Sequence, residues 1–123
     1  MNVLIIDDSG VMRRIHRNTF LEHHIDDSGL LEAENGAKAL RIAGEQRIDL
    51  FLVDWNMPEL DGLELVRKLR ATATYADTPI IMVTSEAAKY NVMDAIRAGV
   101  SDYIVKPIRG EVMWQKIEKY IVR

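Results

Sequence analysis

The chain has 123 residues, 48% of them apolar and 28% charged. That is the size of one domain with one core and an ordinary soluble surface, and it argues against disorder. A formal net charge of −3 excludes a broad basic surface for DNA or RNA. The absence of cysteine excludes disulfides, thiolate metal sites and a cysteine nucleophile, and is compatible with a reducing cytoplasm. No run approaches the ~18 apolar residues of a membrane span. Asp7 and Asp8 come too early for a secretory signal.

Short β-rich apolar runs alternate with longer stretches of helical spacing. The runs are Val3-Leu4-Ile5-Ile6, Leu30-Leu31, Leu50-Phe51-Leu52-Val53, Ile80-Ile81-Met82-Val83 and Tyr103-Ile104-Val105. Runs this continuously apolar are buried on both faces, as in a parallel sheet. The second is the weakest and is expected at an edge. Ser9 is placed to cap the first helix, where Val11, Met12, Ile15 and Thr19 share one arc and Arg13, Arg17 and His24 the opposite side. Asn35 is placed to cap the second. Leu63, Leu65, Val66 and Leu69 mark the third. Ser85 is placed to cap the fourth and Gly99 to end it. Met113, Ile117, Tyr120 and Ile121 give the fifth its apolar spacing. Five β/α units with short connections predict an open, doubly wound parallel sheet with helices on both faces and right-handed crossovers.

Ligands in such folds sit beyond the carboxyl ends of the strands. Asp7 and Asp8 follow the first strand, Asp54-Trp55-Asn56-Met57-Pro58 the third, Thr84-Ser85 the fourth and Lys106-Pro107 the fifth. Three carboxylates, a hydroxyl and an ammonium thus converge on one edge. Carboxylates brought this close are driven to protonate unless a cation joins them. An oxygen-only donor set on an open edge suits Mg²⁺. A carboxylate held beside a lysine and a threonine is arranged to receive a phosphoryl group. Any one of these residues alone is an ordinary cap or turn residue. Their joint occurrence at four strand ends carries the functional expectation.

These residues resemble the receiver domain of two-component response regulators, the CheY-like superfamily. The resemblance runs from Met1 to Arg123, as one receiver domain. It rests on Leu4-Ile5-Ile6-Asp7-Asp8, Asp54-Trp55-Asn56-Met57-Pro58-Glu59-Leu60-Asp61-Gly62, Val83-Thr84-Ser85 and Tyr103-Ile104-Val105-Lys106-Pro107. It implies a five-stranded sheet of order 2-1-3-4-5, with Asp54 as phosphoacceptor. It implies Mg²⁺ held by Asp8, Asp54 and the Asn56 carbonyl, with Asp7 reaching the metal through water. Thr84 and Lys106 then contact the phosphoryl group, and Tyr103 is the aromatic switch. It also implies a cis bond at Lys106-Pro107.

Met12-Arg13-Arg14-Ile15, Asp54-Trp55-Asn56-Met57-Pro58, Lys89, Val92, Tyr103 and Lys116 are most similar to the single-domain chemotaxis type. Asn56 and Glu86 occupy the positions that tune dephosphorylation. The resemblance implies a cytoplasmic, phosphorylation-controlled switch with no turnover of its own beyond gaining and losing its phosphoryl group. Its partners are a sensor histidine kinase as donor and a separate target protein on the face of helix four, strand five and helix five. In the chemotaxis form that target is the flagellar motor switch, and a phosphatase is a further partner.

Other roles are weaker. A non-chemotaxis receiver or phosphorelay intermediate would share the site. A haloacid-dehalogenase-like phosphatase needs a second aspartate where Asn56 stands. A flavin carrier would place a phosphate against Asp7 and Asp8. A never-phosphorylated interaction module would not need the complete acidic site. His23 and His24 point about 100° apart on a helix and chelate poorly. His16 lies on helix one of a β/α chain, not in a helical bundle, and is set aside as a phosphotransfer histidine. Arg13, Arg14 and Arg17 are expected on a solvated face, and Trp55 and Trp114 in core or interface.

Overall fold

The computed structural model describes residues 1–55, 57, 60–84, 89–106 and 108–121, with backbone alone for 89–92. Its strands are β1 (Val3–Ile6), β2 (Leu30–Ala33), β3 (Leu50–Asp54), β4 (Ile80–Thr84) and β5 (Asp102–Val105). Its helices are α1 (Gly10–Glu22), α2 (Gly36–Glu45), α3 (Gly62–Arg70), α4 (Lys89–Ala98) and α5 (Gly110–Glu118), with 3₁₀ turns at Asp27–Gly29 and Ala73–Tyr75. All strand pairs are parallel, in the order β2-β1-β3-β4-β5. The weak second run is an edge strand, as expected.

Strand residues alternate between two cores, as the two-residue pleat requires. Leu4, Ile6, Phe51, Val53, Ile80 and Met82 join Leu65, Val66, Leu69 and Ala95 under α2, α3 and α4. Val3, Ile5, Leu50, Leu52, Ile81 and Val83 join Phe20, Met113, Trp114 and Ile117 under α1 and α5. A fully buried side chain of this kind contributes ~1.5–3 kcal/mol, so two such layers hold the carboxyl edge of the sheet rigid. Ser9, Asn35 and Asp61 cap α1, α2 and α3 by accepting from Met12, Lys38 and Glu64 backbone N–H groups. Gly99 ends α4 at φ +109°, where a side chain would be strained and would meet Arg70.

Some details depart from the expectation. Val11 and Ile15 are 72% and 43% exposed, while His16, Thr19 and Phe20 are the buried residues of α1. The buried stripe therefore runs one position later along the helix than the apolar arc suggests. His24 lies beyond the helix end, exposed and at φ +66°. Arg13 and Arg17 are not merely solvated. Arg13 Nε and Arg17 Nη1 each lie 2.9 Å from the Glu32 carboxylate of β2, and Arg17 also reaches Asp27. Pairs this open to water contribute ~1 kcal/mol or less each. Trp114 is core, in edge contact with Phe20 and stacked on His23. The expectations at Ser85 and Pro107 fall outside the described residues.

Candidate functional site

The site begins where β1 stops. Asp7 N–H donates to the Ala33 carbonyl at 3.1 Å, prolonging the β1–β2 ladder by one residue. Asp7 Oδ1 then accepts from Ser9 N–H at 2.9 Å, which turns the chain into α1. Asp7 is thereby buried at 1% exposure, while Asp8 faces solvent. Asp54 is the last residue of β3 and Thr84 the last of β4, both buried. The turn after β3 is tight. Gly62 N–H donates to the Trp55 carbonyl at 2.9 Å, and a Cβ at Gly62 would overlap the Asp54 carbonyl oxygen. Only glycine lets α3 start against the strand end that carries Asp54. Lys106 follows β5, donates its backbone N–H to the Thr84 carbonyl at 2.8 Å, and places Nζ 3.2 Å from Asp54 Oδ1.

Asp7, Asp8 and Asp54 each bring a carboxylate oxygen within 4.8 Å of the others. At an effective dielectric near 20, each such pair repels by roughly 3–4 kcal/mol. Lys106 offsets one of the three charges, leaving a formal excess of two. Burial pushes the Asp7 carboxyl up from 3.8 to about 6; the Ser9 N–H opposes this, Asp54 adds to it, Lys106 opposes it and Asp8 adds to it. Asp7 Oδ2 is a buried oxygen with no hydrogen-bond partner among the described residues. An oxygen donor set, a twofold charge excess and an orphaned buried carboxylate oxygen together fit a small divalent cation such as Mg²⁺. Asn56, expected to add a carbonyl, lies outside the described residues.

Residues in register on paired strands share a face. Thr84 pairs with Val105 and Met82 with Tyr103, so Thr84 and Tyr103 face the core under α2, α3 and α4. Tyr103 is half-buried against that core. Lys116 Nζ donates to the Tyr103 carbonyl at 2.8 Å and lies 4.6 Å from its ring centroid, a cation–π contact. The side chains of Lys89 and Val92, and Glu86 altogether, lie outside the described residues.

A family model described as "Response regulator receiver domain" matches residues 3–118. The chain belongs to that family. It is 47% identical over 119 residues to the "Chemotaxis protein CheY homolog" of Campylobacter jejuni, covering 96% of this chain and 90% of the relative. It is 42% identical to "Chemotaxis protein CheY1" of Helicobacter pylori, covering 96% and 94%. Chemotaxis protein CheY4 of Vibrio cholerae has a solved structure that superposes with a TM-score of 0.89 at 28% identity over 98% of each chain. The receiver fold expected from the residues is thus the one observed. CheY-like receivers are signalling switches of two-component systems, not classical turnover enzymes. No helix among the described residues is long and apolar enough to cross a membrane.

His16 is the residue whose place the sequence conceals. It is 1% exposed, with Nε2 3.9 Å from Asp7 Oδ2. Its spacing from Met12, Thr19 and Phe20 (i−4, i+3 and i+4) carries the signal that it lies on the buried stripe. Burial, with the Lys106 charge second, lowers its imidazole from 6.5 to about 4.

Asp7 and His16 therefore oppose each other in metal-free solution. Asp7, raised in the fold, contributes stability below about pH 4 that is lost as pH rises through about 6. His16, lowered in the fold, contributes stability above about pH 6.5 that is lost as pH falls through about 4. Each contribution reaches at most ~3 kcal/mol. Asp7→Asn is expected to leave stability rising from about pH 4 to 6.5, whereas the wild type is flatter over that range. Urea melts in chelator across that range check it, and parallel profiles would contradict the opposition.

Proposed function

We propose that this receiver accepts a phosphoryl group on Asp54 from a histidine kinase and thereby changes its affinity for a target in chemotaxis. The placement of Lys106 Nζ 3.2 Å from Asp54 Oδ1, within the acidic cluster, is the observation that carries it. A carboxylate oxygen of Asp54 forms a bond to phosphorus as the donor's phosphorus–nitrogen bond breaks and its electron pair returns to the imidazole. The charge spread over the transferring oxygens is the quantity to be stabilised. Lys106 supplies an ammonium from one side, and the Thr84 hydroxyl donates a hydrogen bond to the product phosphoryl group. Asp7, Asp8, Asp54 and the Asn56 carbonyl would hold Mg²⁺, which supplies further positive charge when bound. The remaining residues position: Gly62 and the Ser9 cap fix the two strand ends against each other.

The 47% identity to a chemotaxis protein supports chemotaxis over other pathways. The flagellar motor switch is the proposed target, and the cytoplasm the proposed location. Incubation with acetyl phosphate and Mg²⁺ should add one phosphoryl group, and chelator should prevent it. A mass unchanged under both conditions would refute the reading.

Asp8→Asn probes the cation site separately. It removes one ligand and one repelling charge, so Mg²⁺ affinity should fall while the metal-free protein melts no lower than wild type. Calorimetric titration and thermal melts in chelator check both. A lower metal-free melting temperature would contradict the repulsion.

A further inference from the structure

A histidine fully buried between a helix and the sheet is a costly choice. Each buried polar atom left unpaired costs ~1–3 kcal/mol, and an aliphatic residue would fill the same space without that cost. Among the described residues, two buried side-chain polar atoms lack a hydrogen-bond partner: Asp7 Oδ2 and His16 Nδ1. The histidine atom facing the orphaned Asp7 Oδ2 is Nε2, 3.9 Å away, with both residues 1% exposed, so a bond between them would satisfy Oδ2 and leave Nδ1 as a bare acceptor. Closing that gap to the ~3.0 Å of an N–H···O bond takes a movement under about 1 Å.

We propose that His16 is a positioning residue for the acidic site: its Nε2–H donates to Asp7 Oδ2 and fixes that carboxylate in the orientation that receives a divalent cation. With Nε2 protonated, the ring is a donor toward Asp7. Asp7 Oδ1 is already fixed by the Ser9 N–H at 2.9 Å. A second donor on Oδ2 holds the carboxylate at both oxygens, and an ionised carboxylate with about four acceptor positions still has room for a cation or its water. Groups that hydrogen-bond to metal-binding carboxylates set their orientation, and losing one typically weakens metal affinity by ~10–100-fold. His16 thus gives α1 a hold on the metal site from inside the fold.

The inference rests on Asp7 being a cation ligand, so the test separates the two. Mg²⁺ is titrated calorimetrically into unphosphorylated wild type, His16→Leu and His16→Gln. His16→Leu should bind about tenfold more weakly, the low end for such a partner. His16→Gln, which carries an amide N–H near the Nε2 position, should recover most of the affinity. Equal affinity in wild type and His16→Leu overturns the inference, and so does equal weakening in both variants. A wild type that gives no Mg²⁺ response refutes the cation site itself. If His16→Leu does not fold, the wild type still decides. Imidazole nitrogen NMR should show the Nε2–H tautomer, and the Nδ1–H tautomer would overturn the assignment.

Discussion

Asp54→Asn is expected to abolish phosphorylation by acetyl phosphate while leaving the fold intact. The amide keeps the shape of the carboxylate but has no anionic oxygen to attack phosphorus, so the loss should be complete. The effect on stability should be small or favourable. Asp54 lies within 4.8 Å of two other carboxylates, and removing its charge relieves that repulsion. Against this stands the lost ion pair with Lys106 at 3.2 Å, in which the lysine is partly solvated and can turn to water. Intact-mass spectrometry after incubation, with circular dichroism as control for folding, checks both parts. Full labelling of the variant would place the acceptor elsewhere.

Thr84→Ala is expected to separate phosphorylation from its consequence. The acceptor and Lys106 remain, so Asp54 should still be labelled. A new phosphoryl group on Asp54 brings anionic oxygens to which the Thr84 hydroxyl is expected to donate by moving toward Asp54. Thr84 and Tyr103 share a sheet face, through the pairs Thr84–Val105 and Met82–Tyr103. Movement of Thr84 is therefore expected to open space on the face that carries the half-buried Tyr103 ring. Lys116 reaches both the ring and the carbonyl of Tyr103, so a ring movement would also shift a charged side chain of α5. The outcome is a population shift between two arrangements, limited by how much better the phosphoryl group binds one of them. Couplings of this kind run to ~1–3 kcal/mol, or roughly 5–150-fold in partner affinity. Thr84→Ala should lose most of that gain. Affinity for a flagellar motor switch peptide, with and without acetyl phosphate, checks it in both proteins. Equal gains would remove Thr84 from the coupling.

The strands were legible because burial on both faces leaves an unbroken apolar run, and the run at Leu30 is short because Leu31 and Glu32 of β2 are only half-buried at the sheet edge; the order of the strands came with the receiver resemblance, since apolar runs locate strands without ordering them. The positions of Asp7, Asp54, Thr84 and Lys106 followed from the rule that places chemistry at carboxyl strand ends. The helix caps were legible because they are local, with Ser9 and Asn35 each three residues from the N–H they accept. What depended on a partner from another element was not. Arg13 and Arg17 meet Glu32 across 19 and 15 residues. His16 is buried because Asp7 and the sheet lie beneath it, while Val11 and Ile15 stay exposed although they are apolar. Lys116 could be placed on a face, but its contact with the Tyr103 ring depends on how α5 packs against β5.

The most direct measurement is to map the modified residue after acetyl phosphate and Mg²⁺. Borohydride reduction converts an aspartyl phosphate into a stable homoserine residue, and peptide mass spectrometry locates it. Homoserine is expected at position 54, lost when Mg²⁺ is chelated or Lys106 is replaced by Met. Modification at Asp7, Asp8 or a histidine, with Asp54 unchanged, would contradict it.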